Sequence, residues 1–365
     1  VGIEEVKMNL VEVRHKLHMM PEIAFREFKT QAYIKELLTN LSISYEEVAG
    51  TGILARWESG DGPYILFRAD MDALPVREET GCEFSSRNEG FMHACGHDIH
   101  MSVLLGLVER VSIYRPHVNI LFLFQPAEEA GGGAELCLKT LENYPIEEVW
   151  ALHVTDEYPE GTVNTRPGVL FASAYEIDST FEGRSAHVAF FKQGRDAVEG
   201  AMEFLRRIYE SDTGEYVLRF GLIEGGRVRN VVPDSCTLYG TIRAVDVSIT
   251  ERVVAEIEKL GKLVADEREL RYLQKVGSRY PQLVVNGDLY KKLCRLVDVN
   301  EVEMKYTGED FAFLALRYPG LMFWLGTGRE ERVGLHNSKF LPSDSVIEKG
   351  VEVFWKVITD RTLSL

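Results

Sequence analysis

Residues 92–100 read Met-His-Ala-Cys-Gly-His-Asp-Ile-His, and this stretch determines how the rest of the chain is interpreted. Three imidazoles, a thiol and a carboxylate in one short segment indicate a metal site, because these side chains bind zinc and related transition ions. Cys95 and His97, two positions apart, can face one ion from an extended loop, and Gly96 between them allows an irregular turn. The alternative is a surface loop that is only polar.

The composition is that of an ordinary globular protein. A length of 365 residues predicts about two domains, and 45% hydrophobic with 27% charged residues fits a folded, soluble chain. The net charge of −16 and the lack of a basic stripe argue against a nucleic-acid partner. No apolar run approaches the roughly 18 residues of a membrane span, which argues against a membrane protein.

The N-terminus and the cysteines bear on the compartment. Residues 1–6 lack the basic and apolar regions of a signal peptide. The cysteines are Cys82, Cys95, Cys137, Cys236 and Cys294. Their odd number and wide spacing predict reduced thiols rather than a disulfide framework. The chain is therefore expected to be cytoplasmic.

The first part of the chain has a helical pattern from about Glu4 to Leu41, interrupted at Pro21. His15 and His18 lie about one turn apart in it and can share one helix face. Such a lone pair is more often structural than metal-binding.

Polar side chains follow four predicted strands of the chain. The strands are the apolar runs 63–67, 118–124, 148–152 and 321–326. The polar residues beyond them are Asp70 with Asp72, Glu128 with Glu129, His153 and His336. In open α/β sheets ligands bind outside the carboxyl ends of the strands, so these residues are expected to converge. With Cys95 and His97 they predict a pocket for two divalent ions and a carboxylate left to move protons.

Single members of this set have simpler interpretations. Glu128-Glu129 alone is typical of a solvated turn, and His153 alone of a hydrogen-bonded histidine at a strand end. Their common placement favours the pocket. A helix is predicted for Met101–Arg110, after the His/Cys segment.

The middle of the chain has a different order of elements. The predicted elements are a strand at 175–181, a helix at 194–210, strands at 216–224 and 236–245, and a helix at 249–266. This order predicts a small α+β domain of ferredoxin-like type with an antiparallel sheet. The domains are accordingly 1–171, 172–276 as the insertion, and 277–365. His187 in the insertion, taken alone, is interpreted as an exposed polar residue.

With these residues assembled, the chain resembles the aminoacylase/carboxypeptidase family of dinuclear metallopeptidases, in its amidohydrolase branch. That branch includes hippurate hydrolases, auxin-conjugate hydrolases and N-acetyldiaminopimelate deacetylases. The matching segments are 14–15, 21–22, 68–75, 93–100, 125–129, 151–153, 240–243, 308–311 and 335–337. The length and the segments 124–135 and 323–326 are most similar to the diaminopimelate deacetylases. The resemblance implies an α/β fold: a mixed-sheet metallo-exopeptidase catalytic domain with an inserted lid and dimerisation domain.

The resemblance also implies roles for individual residues. The implied metal ligands are Cys95, His97, Glu129, His153 and His336. Glu128 is implied to be the proton shuttle, although the two adjacent glutamates could exchange these roles. Asp70 and Asp72 match the family's active-site aspartates, which orient the metal ligands without binding the metal themselves. His93 and His100 are then expected not to be ligands.

Three residues of the inserted domain match the family's substrate-binding groups. His187 is similar to the histidine that reaches a neighbouring active site and polarises the scissile carbonyl, which implies at least a homodimer. Asn230 and Arg243 resemble the groups that hold the substrate carboxylate. The chain departs from many relatives at Phe191-Lys192, where they have Pro-His, and this leaves the side-chain preference open.

The expected reaction is metal-assisted hydrolysis of an N-acyl amino acid, with N-acetyl-L,L-diaminopimelate of lysine biosynthesis as the favoured substrate. A broad N-acyl amino acid hydrolase or carboxypeptidase of the hippurate-hydrolase type is the alternative within enzymes. A binding protein that has lost catalysis is the alternative outside them. Zn, Mn, Co and Ni all suit the mixed ligands.

Overall fold

The computed structural model describes residues 8–60, 62–130, 132–211 and 213–364. These residues form two compact units. The first unit holds the chain up to Leu170, Val284–Glu303 and the chain from Asp310 onward; the second unit holds Phe171–Leu283 and Met304–Glu309. The predicted helix start at Glu4 and the segment 1–6 lie outside the described residues.

The elements alternate between strands and helices along most of the chain. The strands are β1 (Ser44–Val48), β2 (Gly52–Trp57), β3 (Tyr64–Asp70), β4 (Asn119–Gln125), β5 (Ile146–Pro159), β6 (Val163–Thr165), β7 (Gly168–Phe171), β8 (Ser173–Glu182), β9 (Tyr216–Gly225), β10 (Ser235–Ala244), β11 (Arg271–Tyr280), β12 (Leu283–Val285), β13 (Val299–Glu301) and β14 (Gly320–Gly328). The helices are α1 (Leu10–His18), α2 (Phe28–Asn40), α3 (His97–Tyr114), α4 (Gly133–Leu141), α5 (Ala197–Glu210), α6 (Val247–Glu267), α7 (Gly287–Leu296), α8 (Phe311–Arg317) and α9 (Ser345–Ser364).

The first unit is built on an eight-stranded mixed sheet with the order β1-β2-β4-β3-β5-β14-β6-β13. Its four central strands, β4, β3, β5 and β14, run parallel to their neighbours within that group. All residues of β3 and β4 are buried, as expected for parallel strands that are covered on both faces. The carboxyl ends of these four strands therefore meet at one edge, which confirms the predicted convergence.

Helix α3 includes the end of the segment 92–100 and positions it at that edge of the sheet. Gly96 precedes the helix with φ of 83°, a left-handed conformation that glycine adopts without strain. A Cβ atom there would also lie 2.3 Å from Val154 Cγ2, so no larger residue fits. The helix was predicted to begin at Met101, but it begins at His97, and this part of the prediction was wrong. All residues from Met92 to His100 are buried, which excludes the polar surface loop.

The second unit is a separate α+β layer structure. Its antiparallel sheet has the order β11-β8-β10-β9, and α5 and α6 pack on it. The hydrophobic core between them includes Ile177, Phe181, Phe204, Leu238 and Ile257. The chain order βαββαβ confirms the ferredoxin-like prediction. The unit extends to Leu283, beyond the expected limit of 276, because β11 pairs with β8 along most of its length.

Other boundaries differ in ways that matter for the site. The predicted N-terminal helix is two helices, α1 and α2, separated at the expected break around Pro21. Asp70 is the last residue of β3, and His153 lies inside β5 rather than beyond its end, because that strand continues to Pro159. None of the described helices is long and apolar enough to cross a membrane.

Candidate metal centre

Asp72 organises the loops at the carboxyl end of the central sheet. Its two carboxylate oxygens accept hydrogen bonds from the backbone N–H groups of Glu128 and Glu129, both at 3.0 Å. Its backbone carbonyl accepts a bond from Nδ1–H of His97 at 2.8 Å. One buried aspartate thereby fixes the positions of both glutamates and the orientation of one imidazole.

The tautomers of two histidines follow from their hydrogen bonds. Because Nδ1 of His97 donates to the Asp72 carbonyl, its Nε2 faces the site, where it has no hydrogen-bond partner among the described residues. Nδ1 of His153 donates to the carbonyl of Val154 at 2.7 Å, which also leaves Nε2 for the site. A ring nitrogen presented in this way is typical of a metal ligand.

The donor atoms form two overlapping groups that share Cys95. Its Sγ lies 3.4 Å from Nε2 of His153 and 3.3 Å from Nε2 of His336. The donor atoms of Cys95, His97 and His153 all lie within 4.8 Å of one another, and so do those of Cys95, Glu129 and His336. The structure thus brings together all five ligands that the sequence predicted. Their N, O and S donors suit zinc and other divalent transition ions.

The electrostatics of the centre favour a cation. Burial, together with the carboxylates of Glu129 and Glu128, raises the pKa of the Cys95 thiol well above its usual range. Burial alone would lower the pKa of His97, but the carboxylates of Asp70, Asp72 and Glu129 together outweigh it and raise that pKa to about 10. The negative charges therefore favour positive charge at Nε2 of His97, which a proton or a metal ion can supply.

A fully buried network of ion pairs and hydrogen bonds holds the Asp70 carboxylate in place. Arg68 donates to Asp70 Oδ2 at 2.7 Å and to Asp310 Oδ1 at 2.9 Å, and its Nε donates to Gln125 at 2.7 Å. Burial alone would raise the pKa of Asp70, but His97, His100 and Arg68 hold it well below its usual range. Arg68, Gln125 and Asp310 lie in three of the segments that carry the family resemblance, but the sequence alone predicts no role for them. The available signal was an arginine inside an apolar strand, which requires a buried acid nearby.

The two remaining histidines of the segment do not lie among the donor groups of the two sets. His100 uses both ring nitrogens, since Nδ1 donates to Asp70 Oδ1 at 2.6 Å and Nε2 accepts from the Val154 backbone at 2.9 Å. His93 is buried, and burial lowers its pKa to about 3, so its ring is neutral. Neither ring nitrogen of His93 has a hydrogen-bond partner among the described residues.

The histidines of α1 are held by carboxylates. Nε2 of His15 lies 2.9 Å from Asp344, and its ring stacks on Phe84. His18 contacts Asp98 through Nδ1 at 2.9 Å and Glu78 through Nε2 at 3.2 Å. Burial alone would lower the pKa of His18, but these two carboxylates raise it to about 9. His15 and His18 therefore contact different carboxylates and do not form a common site on one helix face.

The second unit holds the other predicted site residues. His187 is exposed, and its Nδ1 accepts a hydrogen bond from the Ala189 backbone at 3.1 Å, so Nε2 carries the proton and can donate it. The backbone carbonyl of Asn230 accepts from Val188 at 3.0 Å, which places Asn230 beside the His187 segment. The half-buried Arg243 donates from Nε to Thr241 at 3.0 Å, and burial lowers its pKa.

Known proteins share this architecture. Residues 66–360 match the model of peptidase family M20/M25/M40. The N-acetyldiaminopimelate deacetylase of Bacillus pumilus (strain SAFR-032) is 37% identical over 367 residues, covering 94% of this chain and 96% of the relative. The deacetylase of the same name from Shouchella clausii (strain KSM-K16) is 34% identical, covering 95% and 97%.

A solved structure agrees with these sequence matches. The YXEP protein of Bacillus subtilis, a dinuclear metal binding peptidase from the M20 family, superimposes with a TM-score of 0.85 at 25% identity. The superposition covers 98% of each chain.

Proposed function

The chain belongs to peptidase family M20/M25/M40, and we propose that it hydrolyses N-acetyl-L,L-diaminopimelate to acetate and L,L-diaminopimelate, a step of lysine biosynthesis. Family membership and the relatives confirm the predicted resemblance and a hydrolase that acts on amide bonds. The proposed substrate is supported by the match to N-acetyldiaminopimelate deacetylases over at least 94% of this chain.

We propose that the centre holds two divalent ions, and that Cys95, His97, Glu129, His153 and His336 are the residues that would hold them. The two overlapping donor groups support this assignment, because Cys95 belongs both to the group with His97 and His153 and to the group with Glu129 and His336. When bound, such ions lower the pKa of water toward about 7 and polarise a carbonyl group. Zn, Mn, Co or Ni fits the donors, since all of them accept mixed nitrogen, oxygen and sulfur ligands.

The proposed role of Glu128 is to move the proton. Its backbone N–H is fixed by Asp72 next to Glu129, the residue is 7% exposed, and its carboxylate is near enough to raise the pKa of the Cys95 thiol. Glu128 takes a proton from the attacking water as the C–O bond forms at the amide carbon. It then delivers that proton to the nitrogen as the C–N bond breaks, which releases the amine.

The second unit is proposed to supply the substrate contacts. The Nε2–H group of His187 is a donor for the carbonyl oxygen as negative charge develops there. Asn230 and Arg243 are proposed to bind the substrate carboxylate, because an amide and a planar guanidinium both donate hydrogen bonds to such a group.

We also propose that the chain forms a homodimer through the second unit. Strand β9 lies at the end of the sheet order, so one of its edges has no strand neighbour among the described residues, and Val217, Leu222 and Ile223 on it are exposed. Leu222→Lys places a charge on this edge, which disfavours pairing with a second strand, and light scattering of this variant should then report the mass of one chain. A mass of two chains would contradict dimerisation through β9.

A cytoplasmic location is part of the proposal, because the Cys95 ligand must remain a thiolate. The five cysteines, all described, form no disulfide.

The experiment that tests the function measures amine release from three substrates. The protein is stripped of metal, reloaded with Zn, Mn or Co, and given N-acetyldiaminopimelate, N-acetylmethionine and benzoylglycine. We expect selective turnover of the first. Turnover of benzoylglycine without turnover of N-acetyldiaminopimelate would instead support a broad hydrolase of the hippurate type, the alternative that the exposed Phe191-Lys192 segment leaves open. No turnover with any metal would support a binding protein.

A further inference from the structure

A second group of metal-ligand side chains lies in the first unit, away from the donors of the proposed centre. His18 comes from α1, while Glu78 and Cys82 come from the segment 75–91, which contains no helix or strand. The donor atoms of these three residues all lie within 4.8 Å of one another. We refer to His18, Glu78 and Cys82 as the His18 cluster.

The distances in the His18 cluster are close to those of a tetrahedral metal site. Bond lengths of about 2.0 Å to nitrogen or oxygen and about 2.3 Å to sulfur give tetrahedral edges of about 3.3 Å for N to O and about 3.5 Å for O to S. The observed separations are 3.2 Å between His18 Nε2 and Glu78 Oε1 and 3.8 Å between Glu78 Oε1 and Cys82 Sγ. A central ion therefore requires movements of only a few tenths of an ångström along these two edges.

The groups behind the cluster fit the same interpretation. Nδ1–H of His18 donates to Asp98 Oδ2 at 2.9 Å, and that carboxylate also accepts from Nε of Arg14 at 2.8 Å. A carboxylate behind the distal nitrogen is the usual support of a metal-bound histidine, because it fixes the ring and makes the other nitrogen a stronger ligand. Asp98 and Arg14 are both buried, so this support is rigid.

Hydroxyl groups surround the sulfur of Cys82. Thr80 Oγ1 lies 3.4 Å and Ser85 Oγ lies 3.5 Å from Cys82 Sγ. The single proton of each hydroxyl is donated elsewhere, by Thr80 to Glu78 and by Ser85 to the Cys82 carbonyl, so the thiolate that binds metal forms only when an ion displaces the thiol proton. Cys82 is only half-buried, so an ion can enter from solvent and water can complete its coordination.

We propose that the His18 cluster binds a divalent ion of the zinc class, in addition to the ions of the centre around Cys95. The ion replaces the proton on Nε2 of His18 and the proton of the Cys82 thiol, and both protons leave to solvent. Its role is structural: it joins the segment 75–91 to α1, immediately before the residues that carry the ligands of the catalytic centre. Without the ion, the same three residues form a hydrogen-bonded ion pair and a free thiol.

The test compares the metal content of the full-length protein with that of two cysteine variants. Wild type, Cys82→Ser and Cys294→Ser are stripped, reloaded with excess zinc, desalted and measured by inductively coupled plasma mass spectrometry. Cys294 is an exposed cysteine of α7 and serves as the matched control. We expect Cys82→Ser to bind about one ion fewer per chain than wild type, with hydrolytic activity retained, because a structural zinc site needs its thiolate. Cys294→Ser should equal wild type.

A second pair of variants keeps the result interpretable. Glu78→Gln should lose the same ion as Cys82→Ser, so a folding defect in one variant does not decide the outcome. In a Cys95→Ser protein the His18 cluster should still hold an ion, which Cys82→Ser then removes, so failure of the proposed catalytic centre is distinguished from failure of this site. Equal zinc content in wild type, Cys82→Ser and Glu78→Gln overturns the proposal.

Discussion

The proposed site residues of the two units differ in how deeply they are buried and in how closely they are grouped within their own unit. In the first unit, Cys95, His97 and His153 are buried and their donor atoms lie within 4.8 Å of one another. In the second unit, His187 and Asn230 are exposed, and Arg243 is only half-buried. The first unit alone therefore brings together the side chains that we propose to hold the ions, whereas the residues of the second unit remain available to a molecule that approaches them. The predictions below test this division.

The largest effect is expected where the first unit is disrupted. His97→Ala removes the ring that Asp72 orients and whose Nε2 faces the donors of Cys95 and His153. Metal content should fall, and activity should decrease at least about 10³-fold, because a hydrolase of this kind depends on its ions for the nucleophile. Metal analysis and amine release measure both effects.

A suitable control for His97→Ala is His117→Ala, which removes an exposed histidine of the same unit. The control should keep its metal and its turnover. If His97→Ala retained the metal content and activity of the control, the buried set would not be the metal centre.

The next effect separates chemistry from metal binding within the first unit. Glu128→Gln keeps the shape of the side chain but cannot accept a proton, so kcat should fall by about 10²- to 10⁴-fold with metal content unchanged. Glu129→Gln should instead lose metal, because Glu129 lies 3.4 Å from His336 within a donor group.

These two variants resolve which glutamate has which role, and Glu135→Gln, an exposed position of α4, is the control. If Glu129→Gln kept its metal while Glu128→Gln lost it, the roles would be exchanged.

The first unit also shows what a sequence can reveal about a site. Cys95 and His97 were identified because several ligand types lie in a few consecutive residues, and His153 and His336 because they follow apolar strands whose ends meet. The helix start at His97 was missed, since it depends on the left-handed conformation of Gly96 rather than on the propensity of the residues after it. Local composition therefore indicated which side chains come together but not the element that carries them.

Contacts between distant parts of the chain were not predictable in the same way. Arg68 and Asp310 are 242 positions apart, and only the folded sheet brings them into contact next to Asp70. Strand β11 was missed because Leu273 lies on its exposed face and Gln274 on its half-buried face, which obscures the alternation, and because it is identified by pairing with β8, which lies far away in sequence. The predicted limit at 276 was too early for the same reason.

A smaller effect is expected at the donor of the second unit. His187→Ala removes the Nε2–H group that the Ala189 contact exposes, and kcat/KM should fall by about 10²-fold, the usual cost of one oxyanion donor. Metal content should not change, which distinguishes this variant from His97→Ala.

Two further variants test the His187 assignment. His187→Asn should recover part of the loss, because an amide can also donate, whereas Lys262→Ala, at an exposed position of α6 in the same unit, should act as wild type. A His187→Ala enzyme with full kcat/KM would leave the second unit without a role in the reaction.

The smallest effect concerns how the substrate is held rather than how it reacts. Arg243 is proposed to bind the substrate carboxylate through its planar fork, and its Nε is already fixed by Thr241 at 3.0 Å. Arg243→Lys keeps the charge but loses the two parallel donors, so KM should rise about tenfold, equivalent to about 1.4 kcal/mol, with kcat within about twofold. Arg219→Lys on the adjacent strand is the matched control.

An N-acetyl amino acid amide, which lacks the carboxylate, gives a sharper comparison. With this substrate, Arg243→Lys should act as wild type. An unchanged KM for the carboxylate substrate would show that Arg243 does not hold this group, and the second unit would then contribute only through His187 and Asn230.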